Sequence, residues 1–275
     1  MALLTVDLFS ESLEMGTSLT VVLPQEAEGQ IGVEPIVVPE HGWPVLYLLH
    51  GLSDDHTAWL RYTSIERHAR AAGLAVVMPA AGRSFYTDEA RGYRYWTWIS
   101  DELPRRVSEF FRVSQRPEDT YVAGLSMGGY GALKLGFSFP ERYAGAASLS
   151  GAVDLAQLEN RPERAELVDA VFGGTVPAEA MMGHLLDEAD ADRVPPLYIG
   201  CGTDEDRLLG PNQRLAERAA ARGIDVTTDF RPGEHEWGLW DAAIPDVIAW
   251  LPRADQTPQP KASANERSLP VDRVI

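Results

Sequence analysis

Residues 120–131 read Thr-Tyr-Val-Ala-Gly-Leu-Ser-Met-Gly-Gly-Tyr-Gly, a strand-type run, then Gly124-Leu125-Ser126-Met127-Gly128, then a small-residue helical stretch. A serine held between strand and helix in a tight turn has its hydroxyl lifted clear of the sheet, and flanking glycines bring no Cβ to collide with the neighbouring elements. The same turn aims the Met127 N–H, at the helix start, toward an oxyanion forming beside the serine. The chemistry this spacing offers is nucleophilic attack on a carbonyl. In a chain with 24 glycines the five-residue pattern arises by chance about 0.1 times. A Gly-rich turn closing any α/β strand would also produce it, so the partners of Ser126 must decide.

A serine hydroxyl is a weak nucleophile until a base takes its proton, and the base needs an acid that fixes its tautomer. For a strand–turn–helix nucleophile the chain order is serine, acid, histidine. Of the six histidines, His41, His50, His56 and His68 precede Ser126, and His184 precedes any acid after the strand predicted at 196–200. His235 is left, in Arg231-Pro-Gly-Glu-His-Glu-Trp237 just after another predicted strand. The acid belongs to Cys201-Gly-Thr-Asp-Glu-Asp-Arg-Leu-Leu209, where Asp204, Glu205 and Asp206 compete and chemistry alone does not separate them. A second oxyanion donor is expected from the loop Leu-Leu-His50-Gly51-Leu52-Ser53, with Gly51 turning the backbone and the Leu52 N–H facing that of Met127. His50 reads as a structural loop residue.

These residues need a scaffold that brings loops 50–54, 126, 201–206 and 235 to one edge. Residues 3–9 and 17–23 alternate as half-buried strands with a turn at Met15-Gly16, an antiparallel opening pair. Continuous apolar runs at 44–50 and 74–78 read as buried parallel strands, and the alternation continues with strands at 120–124, 144–149, 196–200 and 224–230, interleaved with helices at 64–72, 98–112, 127–138, 211–222 and 238–251. In the last helix Pro245 fits only near a first turn. Residues 151–194 carry helical patches and no clear strand. The reading is an α/β fold, a mostly parallel doubly wound sheet with a small helical insertion or lid, over residues 1–253. Right-handed crossovers put the loops after its parallel strands on one edge. Beyond it, the proline-rich polar stretch 254–275 reads as a flexible tail.

Composition narrows the partners. The net charge of −17 would repel nucleic acid and anionic membrane surfaces, leaving small neutral or apolar substrates. No apolar run reaches the 18 or so residues that span a bilayer, and the N-terminus carries no signal-peptide pattern, so a cytoplasmic location is expected. Cys201 is the only cysteine, which excludes an intrachain disulfide and leaves too few ligands for a Cys/His metal site. It reads as a small buried hydrophobe. Neither metal nor cofactor is expected, and a homo-oligomer is left open.

Taken together, Tyr47-Leu-Leu-His-Gly-Leu-Ser53 with Trp59, Tyr86-Thr-Asp88 with Glu102-Leu-Pro104, Gly124–Gly131, Cys201-Gly-Thr203, and Gly233-Glu-His-Glu-Trp237 with Trp240-Asp241 carry a resemblance. The chain resembles the esterase D, S-formylglutathione hydrolase and antigen 85 group of α/β hydrolases over about residues 1–252, most of all its tributyrin esterase branch. The resemblance implies a serine carboxylesterase that hydrolyses short acyl esters through an acyl-enzyme without a cofactor. It selects Asp206 as the acid, by its spacing to Leu208 and Asn212, at the expense of a one-residue insertion after Gly202; Asp204 is the alternative. Trp59, Tyr86, Trp96 and Trp237, with Phe85 and Tyr95, are candidates to wall a substrate pocket, against a competing reading of most of them as core. Phe172, Met181, Met182 and Leu185 of the insertion are expected to pack it down. Two other readings stand beside the esterase. One is an S-formylglutathione hydrolase with a basic rim of Arg83, Arg91 and Arg94, disfavoured by the negative charge. The other is a non-catalytic binding member of the fold.

Overall fold

The computed structural model describes residues 1–26 and 36–252. The tail expected at 254–275 lies outside them. The described residues build an eight-stranded sheet in the order β1-β2-β4-β3-β5-β6-β7-β8. Its strands are β1 (Ala2–Ser10), β2 (Met15–Leu23), β3 (Val45–Leu49), β4 (Ala75–Pro79), β5 (Thr120–Leu125), β6 (Gly145–Leu149), β7 (Leu197–Gly202) and β8 (Val226–Arg231). β1 pairs antiparallel with β2 and β2 antiparallel with β4; every pairing from β4 to β8 is parallel. This is the mostly parallel doubly wound sheet with an antiparallel N-terminal pair that the apolar runs predict.

Burial follows from position. β3, β4, β6 and β7 are buried at every residue, and β5 at every residue after Thr120, because helices cover both faces. The edge strand β1 alternates between half-buried and exposed, as one solvated face requires. The helices are α1 (Ala58–Tyr62), α2 (Ile65–Ala71), the single turn α3 (Tyr95–Thr97), α4 (Leu103–Phe110), α5 (Met127–Ser138), α6 (Ala156–Glu159), α7 (Ala165–Phe172), α8 (Met182–Glu188), α9 (Leu209–Ala221) and α10 (Trp237–Trp250). Residues of α4, α5, α7, α8 and α9 share one core cluster, and those of α1, α2 and α10 the other, on the opposite face.

Two expectations need correction. The hairpin turn lies at Glu11–Glu14, with Glu14 at φ +52°, and Met15 and Gly16 are already in β2, paired with Ser10 and Phe9. Pro245 sits inside α10 and not in its first turn; the helix carries on past the missing donor because its apolar face is locked into the core.

The sheet order places the chemistry. β4 lies on one side of β3 and β5 on the other, so the loops leaving β3 and β5 diverge from neighbouring strands. Such a switch point opens a crevice at the carboxyl ends of the strands. The Leu49–Gly51 loop and Ser126 flank it, and β6, β7 and β8 deliver residues 150, 201–206 and 235 to the same edge.

Candidate active site

Ser126 occupies the turn between β5 and α5 with φ +53° and ψ −115°, outside the regions an L-residue ordinarily populates. Strain of this kind persists only where the surroundings hold it. The Ser126 N–H donates to the Leu149 carbonyl at 2.9 Å, and its own carbonyl accepts from Tyr130 and Ala152 at 3.1 and 3.0 Å. The two flanking glycines are demanded by sterics. A Cβ on Gly124 would collide with the Gly128 carbonyl, and one on Gly128 with the Leu49 and His50 carbonyls, the latter at 2.7 Å.

His235, 41% exposed, lies in the loop between β8 and α10. The Ser126 hydroxyl donates to its Nε2 at 3.1 Å, and its Nδ1–H donates at 2.6 Å to Oε2 of Glu205. The carboxylate acceptor fixes that tautomer. The carboxylate that meets His235 is therefore Glu205, not the Asp206 that the resemblance selects nor its alternative Asp204. The turn after β7 closes tightly, with the Glu205 N–H on the Gly202 carbonyl at 3.3 Å and the Leu208 N–H on the Glu205 carbonyl at 3.0 Å. That points residue 205 inward and leaves residue 206 in solvent. No insertion after Gly202 is needed. Asn212, buried at the start of α9, donates to the Gly151 and Leu208 carbonyls and anchors the helix, so its spacing reports the helix and not the acid. Asp204 has a different task. Its N–H donates to the Gly233 carbonyl and its Oδ2 accepts from the Gly233 N–H, both at 3.1 Å, which clamps the loop carrying His235.

Glu205 is buried, and burial alone would raise its carboxyl's pKa. The donors around it, His235, Ser150 and the Gly202 N–H, outweigh that cost and hold it below the ordinary carboxylate value. On Oε1 these are the Ser150 hydroxyl at 2.5 Å and the Gly202 N–H at 2.8 Å, with Cys201 Sγ at 3.5 Å. Cys201 is buried, and burial followed by the Glu205 charge raises its thiol's pKa, in keeping with a small inert side chain.

The loop after β3 is held by its carbonyls. The Trp59 indole donates to Leu49 O at 3.0 Å, the Tyr86 hydroxyl to His50 O at 3.0 Å, and His50 Nδ1–H to Gly51 O at 2.7 Å. Across a trans peptide, C=O and the following N–H point in opposite directions, so pinning Gly51 O against His50 turns the Leu52 N–H the other way. A methyl on Gly51 would stand 3.8 Å from Ser126 Cβ, which puts this peptide beside the serine. Met127 is the first residue of α5, so its N–H has no acceptor one turn back. His50 is fully occupied in this frame, its Nε2 accepting from the Ala81 N–H at 3.0 Å, and burial lowers its pKa to about 4.

Of the predicted pocket aromatics, Trp59 and Tyr86 are 1% and 0% exposed. They brace the loop from within the interior and wall no pocket. Phe85 is buried as well, whereas Tyr95, Trp96 and Trp237 are half-buried. Trp96 stacks on Phe139 with ring centres 5.7 Å apart, under the buried Lys134 ammonium at 4.2 Å. Trp237 opens α10 two residues after His235 and packs edge-on against Trp59 and Trp240. The insertion is tied down as expected. Met182 is 1% exposed, Phe172, Met181 and Leu185 pack on the core, and the Ala90 and Arg91 N–H groups donate to Val171 and Ala170 of α7.

Of the residues around His235, the sequence names Glu205 only as one of three competing carboxylates and leaves out Ser150 beneath it and the contact of Trp240, which donates to Ser150 at 3.0 Å and meets the His235 ring edge-on at 4.9 Å. Trp240 stands in the sequence only as part of the resemblance motif Trp240-Asp241, and Ser150 carries no signal beyond following the strand predicted at 144–149. Among the described residues no group of three or more His, Cys, Asp and Glu side chains could hold a metal ion, and no helix is long and apolar enough to cross a membrane.

Comparison with known proteins agrees with this geometry. The family described as "Putative esterase" matches residues 10–251. An acetyl esterase of Caldicellulosiruptor saccharolyticus is 26% identical over 266 residues, covering 91% of this chain and 98% of its own. Among solved structures, the fluorophosphonate-binding serine hydrolase FphF of Staphylococcus aureus superposes with TM-score 0.81 at 32% identity. The S-formylglutathione hydrolase FrmB of the same organism gives 0.78 at 32%. Each covers 91% of this chain and 98% of its own. The sheet is that of an α/β hydrolase.

Proposed function

This chain belongs to that esterase family, and from that premise we propose that it is a serine carboxylesterase cleaving short-chain acyl esters through an acyl-enzyme. Ser126 Oγ attacks the ester carbonyl while His235 Nε2 takes its proton. Glu205 keeps the ring in the required tautomer and stabilises the imidazolium. The Met127 and Leu52 N–H groups receive the tetrahedral oxyanion, each worth about 2.7–4 kcal/mol of barrier where such donors have been removed in other enzymes. His235 then returns the proton to the departing alkoxide, and the alcohol leaves. Water, deprotonated by the same histidine, attacks the acyl-enzyme and frees the acid.

The observation that carries this reading is the unbroken hydrogen-bonded line from a strained Ser126 through His235 to a buried Glu205. Its test is turnover of p-nitrophenyl acetate, butyrate and octanoate. Ser126→Ala should lower kcat by about a million-fold on the preferred ester; equal rates in the two proteins would end it. A second reading, thioester hydrolysis of S-formylglutathione, draws on the likeness to FrmB. A kcat/KM for S-formylglutathione above that for every p-nitrophenyl ester would favour it over the first.

A further inference from the structure

Resting on the catalytic reading of Ser126, His235 and Glu205, we infer that the segment after β6, Ser150 with the Trp240 indole above it, is the element that holds these three in register. Ser150 and Trp240 would then be positioning residues for the reaction. Ser150 is completely buried and takes φ +50°, a left-handed conformation uncommon for a serine. Its N–H is held by the Gly200 carbonyl at 2.7 Å, at the end of the strand that delivers Glu205. Its hydroxyl does two jobs at once, donating to Glu205 Oε1 at 2.5 Å and accepting from Trp240 Nε1 at 3.0 Å. The Trp240 ring stands at 87° to His235 with centres 4.9 Å apart. A closed ring of contacts therefore runs Trp240, Ser150, Glu205, His235 and back to Trp240.

The same segment grips the nucleophile. Leu149, just before Ser150, accepts the Ser126 N–H at 2.9 Å, and Ala152, just after Gly151, donates to the Ser126 carbonyl at 3.0 Å. One tight turn thus touches the serine through its backbone, the acid through a hydroxyl and the base through an indole. A strained φ in a buried serine is the kind of outlier that persists where a hydroxyl must be aimed.

Removing the Ser150 hydroxyl takes a donor from Oε1, which makes the remaining carboxylate a stronger acceptor for the Nδ1–H of His235 and lets Glu205 itself protonate at higher pH. Both effects move the acid limb of kcat/KM upward. The charged and titratable groups around the ring are Asp54, which feels the His235 charge, Cys201 at Oε1, Asp204 clamping Gly233, and the Asp229–Arg231 pair on β8. Of these, Cys201 also touches the Ser150 hydroxyl and loses that neighbour when Ser150 is truncated, while keeping Glu205 Oε1.

The experiment measures kcat, KM and the pH profile of p-nitrophenyl acetate hydrolysis for Ser150→Ala, Ser150→Thr, Trp240→Phe and Ser150→Ala with Trp240→Phe. Ser150→Ala should lower kcat about ten-fold with KM within about two-fold, the loss of one charge-assisted hydrogen bond. Its acid limb should move to higher pH, and Ser150→Thr, which keeps the hydroxyl, should recover part of kcat. Trp240→Phe keeps an aromatic ring beside His235 but loses the N–H together with the second ring of the indole, so it should shift the limb the same way by less. The double variant should be no slower than about Ser150→Ala, because Trp240 acts through Ser150. An unmoved acid limb, with kcat falling only as the folded fraction falls, would overturn the inference. Should Ser150→Ala fail to fold, Trp240→Phe decides on the same criterion. Activity surviving Ser126→Ala would instead strike the catalytic reading itself.

Discussion

Glu205 reaches His235 with one methylene more than an aspartate would have, and the turn after β7 is closed around that length. Its two oxygens divide the work, Oε2 to His235 and Oε1 to Ser150 and Gly202. Glu205→Gln keeps size and burial but loses the charge that stabilises an imidazolium, so kcat should fall by about 10⁴-fold. Asp206→Asn should leave kcat within about two-fold, since that carboxylate faces solvent. Parallel steady-state assays of the two variants test the assignment, and a large loss confined to Asp206→Asn would reverse it. Ser126 and His235 were legible in the sequence because chain order eliminates the other histidines. The acid was not, because three adjacent carboxylates differ only in which way a turn of a few residues points them. That direction is set by the Glu205 N–H on the Gly202 carbonyl and by Asp204 on Gly233, contacts with no local sequence signature. Trp59 and Tyr86 were misplaced for a related reason. An aromatic near a loop reads alike whether its polar tip faces a substrate or, as here, a backbone carbonyl of β3 or the residue after it.

At the scale of elements, the strands could be read because a parallel strand covered on both faces is a continuous apolar run, and the long helices because glycine, proline and charge punctuate them. What escaped was geometry between elements. A helix was predicted over 98–112, yet Trp98–Glu102 forms a π-helical turn before α4. The turn aims Glu102 at the tip of the β1–β2 hairpin, where its carboxylate accepts from the Ser10 hydroxyl at 2.7 Å and the Glu11 and Ser12 N–H groups at 3.0 and 2.9 Å. Burial works against the charge, but these donors prevail and lower its pKa to about 2. The hairpin turn thus closes on a carboxylate from ninety residues away, which is why Met15-Gly16 misled. Glu102→Ala leaves three buried or half-buried donors unpaired and should cost about 3 kcal/mol of stability. Urea denaturation of the variant checks the cost, and turnover per folded molecule should stay within about two-fold. Unchanged stability would mean that water satisfies those donors.

For the molecule as a whole, the question is what acid does to a chain of net charge −17 and pI near 4.7. Self-repulsion alone would make it more stable as the pH falls toward that pI. The buried groups act in the opposite sense. His50 is locked neutral between Gly51 O and the Ala81 N–H, with a pKa lowered by burial from 6.5 to about 4. The unfolded chain therefore binds a proton near pH 6.5 that the folded one refuses until about pH 4. The stabilisation is complete above pH 6.5, declines as pH falls through that window, and amounts to about 3 kcal/mol. Glu102, lowered from 4.5 to about 2, adds a second loss beginning below pH 4.5. The thermal midpoint of the wild type should therefore drop steadily from pH 7 to pH 4 while its net charge shrinks, with no maximum at the pI. His50→Gln, which cannot titrate, should start lower at pH 7 and lose visibly less between pH 6.5 and 4. A wild-type midpoint that rises toward pH 4.7, or a variant with the wild-type slope, would show that surface charge governs the molecule and that the loop frame behind Ser126 carries no acid-sensitive joint.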